Sequence, residues 1–122
     1  MPRLLFFRAS DGSVPFLEWL DDLPERANMA CLGRAWKLAE LGHRLRRPAA
    51  DYLRDGIYEL RIKSDLVQYR VLYFFHGRAA VVISHGILKQ QEKIPPIEID
   101  RATRRKAAFE ANPAAHFYEA EI

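Results

Sequence analysis

Five side chains in the second half of the chain could handle a negatively charged substrate: Arg61, Arg70, His85, Lys89 and Lys93. Arg61 and Arg70 each sit inside a run rich in apolar and aromatic residues. A guanidinium offers a rigid fork that fits phosphate oxygens two at a time. His85 is the member of the set that exchanges protons near neutral pH. Lys89 and Lys93 follow it in HGILKQQEK. Such a group could meet negative charge and exchange a proton beside it. Each residue also has a plainer reading. Arg61 could simply pair with Glu59 or Asp65, a lone histidine at a strand end is commonly a hydrogen-bonded edge residue, and two loop lysines are commonly solvated. Other chemistries lack their residues. Four histidines and one cysteine show no metal-ligand spacing. Neither a Gly-rich phosphate loop nor a Gly-x-Ser-x-Gly elbow is present, and nothing points to paired acids for glycosidase work.

The elements that must position these residues follow from pattern. Three runs rich in Val, Ile, Tyr and Phe, bounded by Gly, Ser or Asp, predict antiparallel strands over Ile57–Lys63, Leu66–Phe75 and Ala79–Lys89. Alternation puts Arg70, Leu72 and Phe74 on one face, and Tyr69, Val71, Tyr73 and Phe75 on the other. It puts Glu59, Arg61 and Lys63 opposite the core-like Tyr58, Leu60 and Ile62. With a suitable register, Arg61 and Arg70 would be neighbours across the hairpin. Before these strands, Arg3–Arg8 predicts a first strand. Val14–Leu20 predicts a short helix with Ser13 as N-cap and Pro15 in its first turn. Glu25 to Leu41 predicts a longer helix lying on the sheet, its polar positions Arg34, Lys37, Glu40 and Arg44 on one face, with Gly42 at its end. His43–Arg54 reads as a basic loop. After Ile94-Pro95-Pro96, a helix over about Ile97–Ala111 carries acids early and cations late, as the helix dipole prefers. The tail from about 114 to 122 gives no reading. The order β-α-α-β-β-β-α predicts an α+β fold, a small antiparallel sheet with helices on one face and the other face open for a site.

The bounds agree with this. The chain has 122 residues, 49% of them apolar, which suits one domain over 1–122 with one core. A net charge of +3 fits a polyanion partner, and solubility alone would explain it equally. The single cysteine permits no internal disulfide and is compatible with a cytoplasmic location. No signal peptide or membrane-spanning run is expected.

LRDGIYELRIKSDLVQYRVLYFF followed by HGILKQQEKIPPIEIDRA closely resembles the RelE/ParE toxin superfamily, and within it the phage-derived HigB-like toxins. The family's Gly-aromatic-Glu-Leu-Arg strand corresponds to the stretch from Gly56 to Arg61. Its Tyr-Arg-Val-aromatic-Tyr strand corresponds to Tyr69 to Tyr73, and its His-Gly-Phe-x-Lys-Lys-x-x-Lys-x-Pro segment to His85 to Pro95. The resemblance implies a RelE-like fold and the toxin half of a type II toxin–antitoxin pair. The implied activity is a ribosome-dependent mRNA endonuclease that uses no metal or other cofactor. The implied partners are a HigA-like helix-turn-helix antitoxin, the ribosome and mRNA, with operator DNA met only through the antitoxin. Arg61, Arg70, His85 and Lys89 become the candidate catalytic residues, with base and acid unassigned among the candidates. Arg46, Arg47, Arg54, Lys63, Tyr73 and Lys93 become candidate RNA contacts. The basic segment Arg44–Arg54 and the helix stretch Arg101–Lys106 would touch ribosomal RNA, or be plain solvated faces. Three positions depart from the pattern: Ile87 replaces an aromatic, Gln90 a lysine, and Glu92 a common glutamine. The same fold hosts ParE-type gyrase inhibitors and could host a relative that only binds its antitoxin.

Overall fold

The computed structural model describes residues 3–121. In chain order they form β1 (Arg3–Phe7), α1 (Pro15–Asp21), α2 (Glu25–Leu41), β2 (Ala50–Arg54), β3 (Ile57–Ser64), β4 (Val67–His76), β5 (Ala80–Leu88), α3 (Pro96–Ala111) and β6 (Phe117–Glu119). All six strands join one open sheet in the order β2-β3-β4-β5-β1-β6. The pairings are antiparallel except for β1 with β5, which run parallel. The fold is α+β as the pattern predicts, with two strands more than expected.

The first addition is β2, which falls inside the segment read as a basic loop. Its five residues pair with β3 through a two-residue turn, Asp55-Gly56. Both turn residues have positive φ, 54° and 81°, which is the hairpin geometry that Asp-Gly favours. The second addition is β6, in the tail, held against β1. His116, just before it, donates from Nδ1 to the Arg8 carbonyl at 2.8 Å. The β3–β4 turn also differs from expectation. Leu66 is not in a strand. It is the second turn residue after Asp65, both at positive φ, and its side chain is 87% exposed. Ser13 does not cap α1. Val14 holds the cap position, and the Ser13 hydroxyl donates to Asp11 Oδ1 at 2.7 Å. Gly42 ends α2 at positive φ as expected.

The largest correction concerns the layers. The helices lie on both faces of the sheet. On one side α1 and α2 bury Phe16, Leu20, Cys31, Ala35 and Leu38 against Phe6, Leu60, Val71, Tyr73 and Ile83. On the other side α3 buries Ile99, Ala102 and Phe109 against Leu5, Phe7, Ile57, Leu72, Phe74 and Val82. A strand buried on both faces is apolar at consecutive positions rather than alternating. Val71 to Phe74 shows that run. Burial pushes the Cys31 thiol up to about 11, which leaves it an inert core residue. No helix among the described residues is long and apolar enough to cross a membrane.

Gly86 fixes how closely α1 can approach. A Cβ added there would stand 2.3 Å from the Trp19 ring. Trp19 in turn meets Tyr69 edge-on at 5.9 Å. The glycine after His85 therefore makes room for an indole. Gly86→Ala should lower stability by about 1–3 kcal/mol through overpacking, read as a lower denaturation midpoint. A midpoint equal to wild type would mean α1 is not seated on this strand.

Candidate functional site

Arg61 and Arg70 are direct cross-strand partners in the β3–β4 ladder. Like charges placed opposite one another repel, so the pair needs an anion between or above it. Glu59 supplies part of that. Arg61 Nη2 donates to Glu59 Oε2 at 3.1 Å, and Arg70 Nε lies 3.2 Å from Glu59 Oε1. Asp51 on β2 extends the chain of charges, 3.4 Å from Arg61 and 2.9 Å from Arg47 Nε. Arg70 donates further to the Tyr69 carbonyl at 3.0 Å and to Gln68 Oε1 at 3.2 Å. The plain pairing of Arg61 with Glu59 is thus real, while Asp65 pairs with Arg26 instead.

The arginines remain under-supplied with acceptors. The Nε–H groups of Arg61 and Arg70 are buried and lack a hydrogen-bond partner among the described residues. Arg70 is close enough to Glu59 for an ion pair, but its Nε–H is not aimed at the carboxylate. Buried donors left unpaired are costly, and functional sites are where that cost is tolerated. Burial draws the Arg70 guanidinium below its ordinary value, with Glu59 opposing the shift and Arg61 adding to it. An arginine stays charged through such a shift.

On the α3 side of the sheet these residues open into a cleft of about 440 Å³. Arg61, Arg70 and Glu59 line it together with Tyr52 and Arg54 from β2, and with Lys89, Glu92 and Lys93 from the segment after β5. Five cations therefore face two carboxylates. Arg54 is partly committed, to Asp55 at 2.7 Å and Asp100 at 2.8 Å. A neighbouring groove of about 360 Å³ shares Arg61 and Arg70 and adds Lys63 and Arg34, with no carboxylate among the described residues that line it. A third groove, of about 540 Å³, lies on the other side of Tyr52 and is rimmed by Arg46 and Arg47. The arrangement presents a double guanidinium clamp with ammonium groups opposite, the equipment to hold a phosphodiester and stabilise charge growing on it.

The structure therefore brings together Arg61, Arg70, Lys89, Lys93 and Arg54, with Lys63, Arg46 and Arg47 in adjoining grooves. It sets two candidates apart. Tyr73 is 1% exposed, stacked on Tyr58 in the α2-side core, out of reach of a ligand. His85 is 6% exposed beneath α3 and does not line the cleft. Ile87 packs on the α3-side core. The helix stretch Arg101–Lys106 is largely engaged: Arg101 with Glu98, Arg105 with Ser84 and Lys106 with Glu110. Sequence reasoning missed Tyr52, placed in a loop, and Arg34, assigned only to a polar helix face. It named Glu59 only as a partner for Arg61.

His85 owes its position to a bulge. His85 pairs with Leu72 and Ile83 with Tyr73, so Ser84 is an extra residue and both 84 and 85 turn beneath α3. His85 Nε2 donates to Glu98 Oε1 at 3.0 Å, leaving Nδ1 to accept from the Ser84 hydroxyl at 2.7 Å. Both bonds suit the neutral ring. Burial, with Arg105 and Arg101 adding and Glu98 opposing, holds the imidazole down at about 4 against an ordinary 6.5. The unfolded chain then binds the proton first. Stability is complete above pH 6.5 and falls as pH drops from about 6.5 toward about 4, by on the order of 3 kcal/mol. Chemical denaturation at pH 7 and pH 5 should show the loss, and His85→Gln should flatten it. An unchanged pH slope in that variant would assign the loss to other groups.

A family model described as phage derived protein Gp49-like (DUF891) matches residues 18–107, a span holding α2, β2 to β5, α3 except its last turn, and the whole cleft. No curated protein matches the chain.

Proposed function

The chain belongs to the Gp49-like, phage-derived family, a RelE-like toxin family, and on that premise we propose that it is the toxin of a type II toxin–antitoxin pair and cuts mRNA on the ribosome. One observation carries the chemistry: Arg61 and Arg70 side by side across the β3–β4 ladder, opening on a cleft with Lys89 and Lys93. In the proposed reaction the ribose 2′-OH attacks the adjacent phosphorus. Its proton leaves to a base, the 2′-O–P bond forms, and the P–O5′ bond breaks as the leaving oxygen takes a proton. Arg61 and Arg70 hold the non-bridging oxygens and stabilise the phosphorane charge. Lys89 or Lys93, as an ammonium, supplies the proton to O5′. Glu59 and Glu92 are the carboxylates lining the cleft that could accept the first proton. His85 acts in this scheme by docking α3 and not by proton transfer. No metal takes part.

The modest positive charge gives a weak grip on free RNA, and the ribosome supplies the rest of the affinity. A helix-turn-helix antitoxin would cover the toxin and carry it to operator DNA.

The burial of His85 also favours a second reading, a relative that acts by protein contact, as gyrase inhibitors do. Primer extension on a reporter mRNA after induction separates the two. Cuts inside translated codons are expected. Intact mRNA with arrested replication would replace the nuclease by the gyrase reading.

A further inference from the structure

Tyr52 stands between two cavities. One is the Arg61–Arg70 cleft, and the other is the groove of about 540 Å³ on the far side of β2. That groove is lined by the apolar Leu45 and Ala50, the aromatic Tyr52 and Tyr58, His43, and the cations Arg46 and Arg47, with Asp51 as its carboxylate among the described residues, held by Arg47. Tyr52 is 53% exposed yet fixed at both ends. Its hydroxyl accepts the Gly56 N–H at 3.1 Å, and its ring meets Tyr58 edge-on at 5.0 Å. A ring held rigid while half in water is a preformed stacking surface. It is also joined to the clamp. Asp51, the preceding residue, lies 3.4 Å from Arg61 and 2.9 Å from Arg47. Arg46 is exposed and has no ion pair among the described residues, so the rim keeps a cation for a phosphate.

We infer that this groove receives a nucleobase of the strand whose phosphate lies on Arg61 and Arg70, stacked on Tyr52, with a flanking phosphate on Arg46. The inference rests on the nuclease reading above and adds to it a base-binding subsite. A flat ring face accepts any base, so the subsite sets position along the strand more than sequence.

The test uses ribosomes programmed with an mRNA that carries 2-aminopurine in turn at each position in and beside the cut codon. A 2′-O-methyl group at the scissile nucleotide prevents cutting. The protein should quench one of these positions. Tyr52→Phe should quench it as well. Tyr52→Ala and Tyr52→Leu should not, and both should bind about ten- to a hundredfold more weakly. Tyr52→Leu keeps the apolar bulk, so a fold lost only through the smaller alanine does not decide the matter. Full quenching in a folded Tyr52→Leu protein, with wild-type cutting intact, would overturn the subsite and leave the nuclease standing. A Tyr52→Leu protein that cuts normally but no longer binds the antitoxin would reassign the groove to a protein contact. A wild-type protein that neither quenches any position nor cuts a cleavable mRNA would end both readings.

Discussion

Replacing Arg70 by alanine should abolish growth inhibition and lower the cutting rate at least about a hundredfold. The estimate is the loss of one charge-assisted contact to a transition state, a few kcal/mol at about 1.4 kcal/mol per decade. The structure changes what else to expect. From its place inside a strand, Arg70 has no obvious structural duty, yet it is 7% exposed and sits on Glu59, Gln68 and the Tyr69 carbonyl. Removing one partner of a buried ion pair leaves the other charge stranded. Here Glu59 retains Arg61 at 3.1 Å, so the fold should survive with a lower melting temperature. Two variants separate rate from stability. Arg70→Lys keeps the charge beside Glu59 but lacks the fork, so it should fold well and still fail to cut. Arg70→Ala with Glu59→Gln removes the stranded carboxylate and should recover stability without recovering activity. A folded Arg70→Ala protein as toxic as wild type would remove Arg70 from the mechanism.

That adjacency was legible in outline before the structure. The runs rich in apolar and aromatic residues around Arg61 and Arg70 mark two strands, and the short Ser64-Asp65 connection forces them antiparallel. The register was not legible, because it depends on which residues take the turn. Leucine seldom adopts positive φ, so Leu66 reads as strand although it is turn. The Asp55-Gly56 turn could have been read, since that dipeptide favours a two-residue hairpin loop. The segment before it, Ala-Asp-Tyr-Leu-Arg, has no clear alternation and becomes a strand by pairing with β3. That strand brings Tyr52 and Arg54 to the cleft and Asp51 within reach of Arg61, so missing it hid part of the site. Apolar side chains on both faces of β4 were a sign of two helical layers, and the two arginines drew attention away from it. The pairings of β1 with β5 and β6 join segments far apart in sequence, and no local pattern reports them. The surroundings of His85 were not legible for a different reason. Strict alternation separates neighbours onto opposite faces, and a bulge at Ser84 breaks that rule where it matters.

A single 2′-O-methyl group at the scissile nucleotide should block cutting completely, and 2′-deoxy should do the same. The reason lies in the residues of the cleft. Arg61, Arg70, Lys89 and Lys93 can bind a phosphodiester and steady the charge on it. None of them is a nucleophile suited to this task while protonated. Among the described residues no cluster of three His, Cys, Asp or Glu gathers to hold a metal ion that could activate water. In the proposed reaction the substrate's own 2′-oxygen is the attacking group, already positioned beside the phosphorus, and holding it in line is worth a large factor in rate. Products should end in a 2′,3′-cyclic phosphate or 3′-phosphate on one side and a 5′-hydroxyl on the other. The assay is primer extension and end-group analysis on ribosomes programmed with the modified mRNA, alongside the unmodified strand. Binding should be unchanged, because the methyl group removes the nucleophile and not the phosphate that the arginines hold. Cleavage of the 2′-O-methyl strand at the normal rate, or a 5′-phosphate product, would make water the nucleophile and assign the clamp to a different reaction.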